Sequence, residues 1–130
     1  MNILRGFTYI KHGNMEYRES GQGDHVVVFL HPTPSSSAFY DELIPLLDTN
    51  KRYIALTTMG YGQSDRPPHP YATLKEFAQS VIWTLDELNV KKFSLFGACF
   101  LFDRERIPSF VRLQHQHETL NRFRKIAQEL

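Results

Sequence analysis

His25-Val26-Val27-Val28-Phe29-Leu30 runs directly into His31-Pro32-Thr33-Pro34-Ser35-Ser36-Ser37. Unbroken apolar residues from Val26 to Leu30, three of them valine, predict a strand buried on both faces. The Pro- and Ser-rich run after it predicts a loop that opens into a helical turn. Two more strands of the same kind follow, Tyr53-Ile54-Ala55-Leu56 and Phe93-Ser94-Leu95-Phe96. Between the first two, Phe39, Leu43, Leu46 and Leu47 recur at helical spacing from Ser37 to Asp48. Pro45 interrupts them and predicts a kink or a short helix.

Between the last two strands, Thr73-Leu74-Lys75-Glu76 has the spacing of a capping box. Leu74, Phe77, Ala78, Val81, Ile82, Leu85 and Leu88 then form one apolar helical face. Strands that alternate with helices in this way imply a parallel sheet with covering helices. Upstream, Phe7-Thr8-Tyr9-Ile10 and Met15-Glu16-Tyr17-Arg18 flank the turn signal His12-Gly13-Asn14 and predict an antiparallel hairpin. The alternation of Met15 to Arg18 reads as a half-exposed strand. Residues 1–100 therefore form an α/β core. Residues 101–130 form a divergent tail, where Phe110, Leu113, Leu120, Phe123, Ala127 and Leu130 predict an amphipathic C-terminal helix.

Composition narrows the functional classes. The 130 residues carry 15 Lys and Arg against 14 Asp and Glu, a net charge of +1 that argues against a nucleic-acid partner. No apolar run reaches the roughly 20 residues that span a bilayer, and Met1 to Gly6 lack the apolar core of a secretory signal. A cytoplasmic domain without a membrane partner is the expectation. The one cysteine, Cys99, leaves no internal disulfide. His115 and His117, two apart on the predicted helix, point to different faces and cannot share a metal. No metal site and no cofactor is expected.

Three segments carry a family resemblance. Leu30-His31-Pro32-Thr33-Pro34 resembles the H-G-x-P oxyanion loop of the α/β-hydrolase family. Gly60-Tyr61-Gly62-Gln63-Ser64-Asp65-Arg66-Pro67 resembles that family's G-x-G-x-S-x-x-P loop. Gly97-Ala98-Cys99-Phe100-Leu101 stands where the family has its nucleophile elbow, G-x-S-x-G. The resemblance spans roughly residues 7 to 100. It implies a partial α/β-hydrolase-type sheet, with Cys99 at the nucleophile position and the amides of Thr33 and Phe100 as oxyanion donors. His31, at the strand end, is read as fixing the loop by hydrogen bonding. Two departures stand out: Pro32 replaces a glycine, and Leu101 replaces the second glycine of the elbow. The family's acid and base cannot be identified, and the chain after Cys99 is too short for the later strands. Pro108 to Leu113 and His117 to Arg122 are similar to the family's last loop and closing helix, which puts Ser109 where the catalytic histidine stands. An unrelated tail fits equally well.

Two functions follow. One is a hydrolase of a small apolar ester, epoxide or related substrate, truncated and catalytically compromised. The other is a non-catalytic fragment, acting as an interaction module or without function. In the second, the Phe93–Phe96 strand is a bare sheet edge open to self-association.

Overall fold

The computed structural model describes residues 2–97 and the backbone of residues 117–119. The chain opens with strands β1 (Leu4–Ile10) and β2 (Gly13–Ser20), paired as an antiparallel hairpin from Leu4↔Glu19 to Ile10↔Gly13. Strands β3 (Val26–Leu30), β4 (Arg52–Leu56) and β5 (Lys92–Gly97) follow, with helix α1 (Leu74–Glu87) between the last two. Strand β6 (His117–Thr119) completes a six-stranded sheet in the order β1-β2-β4-β3-β5-β6. β3 lies parallel to both β4 and β5, and β2 joins β4 antiparallel.

Alternate residues of the central strands supply two separate cores. Val28, Leu30, Ile54, Leu56, Phe93 and Leu95 face α1 and pack on Ala78, Val81, Ile82 and Leu85. Phe29, Tyr53 and Ala55 face the other way and pack on Tyr40 and Ile44. Helix α1 starts as its sequence dictates. The Thr73 hydroxyl accepts from the Glu76 N–H at 3.2 Å, and the Glu76 carboxylate accepts from the Thr73 N–H at 3.0 Å. The same carboxylate takes bonds from His69 and from the Ala72 N–H, and these contacts, His69 first, hold it down at about 2.

Three features depart from the sequence reading. The stretch after β3, read as a kinked or short helix at α-helical spacing, forms two 3₁₀ turns, Ser37–Tyr40 and Ile44–Leu46. At three residues per turn the buried positions become Tyr40 and Ile44, while Phe39, Leu43 and Leu46 face outward. Glu16, read as an outward residue of a half-exposed strand, is buried at 2% exposure, because the loop after β4 folds over that part of β2. Finally, β6 lies inside the stretch read as a helix. Its backbone groups pair antiparallel with Lys92, Phe93 and Ser94, so β5 is not the last strand of the sheet. The rest of the predicted C-terminal helix lies outside the described residues. No helix among the described residues is long and apolar enough to cross a membrane.

Candidate functional site

Leu30 is level with Leu56 on one side and with Gly97 on the other. The chain therefore leaves β3 and β4, at residues 31 and 57, at the same end of the sheet, level with Gly97, the last residue of β5. The chain order also reverses here, since β4 lies on one side of β3 and β5 on the other. Such reversal points in open α/β sheets leave a crevice above the strand ends.

His31 is the first residue of the loop after β3 and is 6% exposed. Its Nδ1 lies 2.9 Å from the Pro32 carbonyl, and its Nε2 accepts from the Thr58 N–H at 3.0 Å. A ring that donates through one nitrogen and accepts through the other is neutral. Burial lowers its pKa further below the usual value, against the smaller opposing pull of the Pro32 carbonyl. With both nitrogens engaged, His31 fastens its own loop to the loop after β4. Tyr61 packs edge-on against its ring at 5.7 Å. Thr33 is half-buried one residue beyond Pro32, within the loop that turns toward Ser37. Cys99 and Phe100 lie outside the described residues.

Beneath the two loops is a polar cluster that the sequence reading did not find. The Ser37 N–H donates to the Thr57 hydroxyl at 2.9 Å, and the Ser37 and Thr57 hydroxyls lie 2.7 Å apart. Thr57 donates to the buried Glu16 carboxylate at 3.0 Å. Arg5 reaches that carboxylate at 2.6 Å, and Arg18 lies 3.6 Å from it. Arg18 also donates to the Ser37 hydroxyl at 2.6 Å and pairs with Asp41 at 2.9 Å. From the other loop, Gln63 N–H points to Glu16 at 3.4 Å, and the Ser64 hydroxyl links the Glu16 N–H to the Thr57 carbonyl. Burial pushes the Glu16 carboxyl up. The bonds from Thr57, Arg5 and Gln63 and the charge of Arg18 outweigh that and bring it below the usual value. Ser64 belongs to a recognisable motif and could have been found; nothing local distinguishes Glu16 from a surface glutamate.

Gly62 lets the second loop close. Its φ is +49°, and a Cβ there would meet Thr57 at 2.8 Å and both Glu16 and Ser36 at 3.0 Å. Next to this loop a cleft of about 470 Å³ opens between Met59, Tyr61, Arg66, Pro67, Tyr71 and Phe77, with a mostly apolar lining. Among the described residues no cluster of three or more His, Cys, Asp or Glu could hold a metal ion.

A hairpin leading into parallel strands, with an H-P-T-P loop and a G-Y-G-Q-S loop rising from neighbouring strand ends, defines an α/β-hydrolase-type core. The family model described as the alpha/beta hydrolase fold matches residues 25–100, more than half of the chain. The chain belongs to the α/β-hydrolase fold family. An uncharacterised hydrolase of Saccharomyces cerevisiae is 32% identical over 81 residues, covering 62% of this chain and 28% of that protein. A haloalkane dehalogenase of Bradyrhizobium diazoefficiens is 41% identical over 59 residues, covering 45% of this chain and 19% of that enzyme. Among solved structures, a loop variant of the haloalkane dehalogenase DbeA from Bradyrhizobium elkanii superposes with a TM-score of 0.70 at 30% identity, over 76% of this chain and 33% of that one. The chain thus spans less than a third of the length of these two curated relatives.

Proposed function

We propose that this chain provides the oxyanion side of a hydrolytic site acting on a small apolar ester, epoxide, alkyl halide or related substrate. The alignment of Leu30, Leu56 and Gly97 carries this reading, because the Thr33 loop starts level with Gly97, the residue two before Cys99 in sequence. The relatives named above as haloalkane dehalogenases support the substrate class, as does the apolar lining of the neighbouring cleft. In this reading Cys99 attacks as its thiolate. For an ester, sulfur bonds to the carbonyl carbon and the oxygen takes the negative charge, held by the amides of Thr33 and Phe100. The C–O bond then breaks, and the alkoxide takes a proton from water. The resulting hydroxide, or a second water, attacks the thioester to release the acid and restore the thiolate. The Thr33 amide has no hydrogen-bond partner among the described residues, as an oxyanion donor requires. His31 is excluded as the base by its two occupied nitrogens.

Reaction of Cys99 with a thiol-specific probe at neutral pH tests the reading. Labelling well above the rate of a free thiol, with ester hydrolysis abolished in Cys99→Ala, is the expected result. Labelling at the free-thiol rate, or hydrolysis that survives the substitution, overturns it.

The outward positions of Phe39, Leu46 and Phe96 favour a second reading, a non-catalytic interaction module that self-associates. A urea midpoint that rises with protein concentration supports it, and a constant midpoint counts against it.

A further inference from the structure

We propose that Glu16 is a positioning residue whose buried carboxylate locks the His31–Ser37 loop and the Gly60–Ser64 loop into a single arrangement. The inference deepens the reading of the first loop as the oxyanion side of a site and rests on it. Glu16 stands on β2, outside every motif of the resemblance, yet both loops converge on it. Thr57 passes its hydrogen bond on to Ser37 at the end of the first loop. Gln63 and Ser64 reach it from the second, through its side chain and its backbone N–H.

The charged groups facing the carboxylate are Arg5 from β1 and Arg18 from β2 itself, and Arg18 is shared with Asp41. Removing a carboxylate from water is costly, and a well-packed apolar side chain in place of a buried ion pair is often neutral or stabilising. Stability alone therefore does not account for a charge at this position. What the charge supplies is direction. It is an acceptor that both loops can reach only when they adopt this mutual geometry, with Gly62 drawn in close enough to touch it. Because Ser37 anchors the far end of the loop that carries Thr33, fixing Ser37 fixes where the Thr33 amide is presented.

The test is hydrogen exchange of the whole chain, followed by NMR, for the wild type, Glu16→Gln and Thr57→Val. The first variant keeps the shape and removes the charge. The second keeps the carboxylate with its arginines and the Gln63 N–H, and removes the Thr57 hydroxyl that joins Glu16 to Ser37. In Glu16→Gln the Gln63 amide, which donates to the carboxylate, and the Ser37 amide should exchange at least about tenfold faster. In Thr57→Val the Ser37 amide loses its own acceptor, so the deciding readout is the Gln63 amide. Its bond to Glu16 is untouched, and it should quicken as the two loops uncouple, while amides of β3 and α1 are unchanged in both variants. The wild-type loops should also lose protection as acid protonates Glu16, a response that Glu16→Gln removes. Turnover of a chromogenic ester, measured alongside, should fall in kcat with KM nearly constant. Unchanged loop amides, or equal acceleration throughout the chain, overturn the proposal. If Glu16→Gln does not fold, Thr57→Val decides by the same criteria. A wild type that hydrolyses no ester overturns the reading of the site, and the exchange data still decide the role of Glu16.

Discussion

The two faces of the sheet are built from the same strands but are covered very differently. On one, Val28, Ile54, Leu56 and Leu95 lie under a 14-residue amphipathic helix and are almost wholly buried. On the other, Phe29, Tyr53 and Ala55 are roofed by two 3₁₀ turns that contribute Tyr40 and Ile44, and Phe96 stays 41% exposed at its margin. A helix covers a face with a stripe of side chains that repeats along its axis. A 3₁₀ turn of three or four residues contributes one or two side chains and then ends. Strand β3 is apolar on both sides, whereas β5 turns Phe93 and Leu95 to α1 and Ser94 and Phe96 to the other face. Part of the difference therefore lies in the strands and the rest in what each crossover segment could form. Pro45 and the Ser-rich start of the first crossover hold it to short turns, whereas the second crossover carries a complete capping box and a regular apolar period.

Substitutions on the two faces should separate them. Leu85→Ala, on the buried side of α1, is expected to cost about 2–5 kcal/mol, read as a shift of the urea midpoint at constant slope. Acid should come next. The Glu16 carboxyl lies below its usual value of 4.5 in the folded chain, so the folded state binds fewer protons than the unfolded state in that range. Its contribution is complete above 4.5 and is lost as the pH falls through its lowered value. Glu16→Gln should flatten that part of the stability profile, whereas Glu76, held at about 2, titrates in both proteins and cancels from the difference. On the weaker face, Tyr40→Phe removes a 2.5 Å bond to the Leu30 carbonyl and should cost about 1 kcal/mol. Thr73→Ala, which removes the α1 cap, should cost a similar amount, about 1 kcal/mol. Phe96→Ser, which removes edge contacts with Phe29 and Tyr40 at the margin of this face, should cost about 0.5–1 kcal/mol while reducing the binding of an apolar dye. A loss of several kcal/mol there would mean that the open face is covered in solution.

Most of the scaffold was legible because its signals are local. The hairpin turn, the three apolar strands and the α1 cap each occupy a few neighbouring residues, and the structure forms them within one or two positions of the reading. The two loops were legible for the same reason, each being a contiguous motif. Glu16 was not. Its burial depends on a loop more than forty residues away in sequence, which folds over β2 only because Gly62 has no side chain. The outward turn of Phe39 and Leu46 was missed for a different reason. Helical spacing was extended through a segment whose real period is three, and apolar spacing alone does not separate the two.

The close approach at Gly62 gives residues 16, 57 and 62 one shared volume. A methyl group at 62 would crowd the side chains at 16, 36 and 57 at once, on a backbone with φ of +49°, so what position 62 tolerates is set by its three neighbours. In chains descended from this one, a side chain gained at 62 should be inherited together with changes at those neighbours. Fitness effects at these sites would then be strongly epistatic, although they lie on different strands and in different motifs.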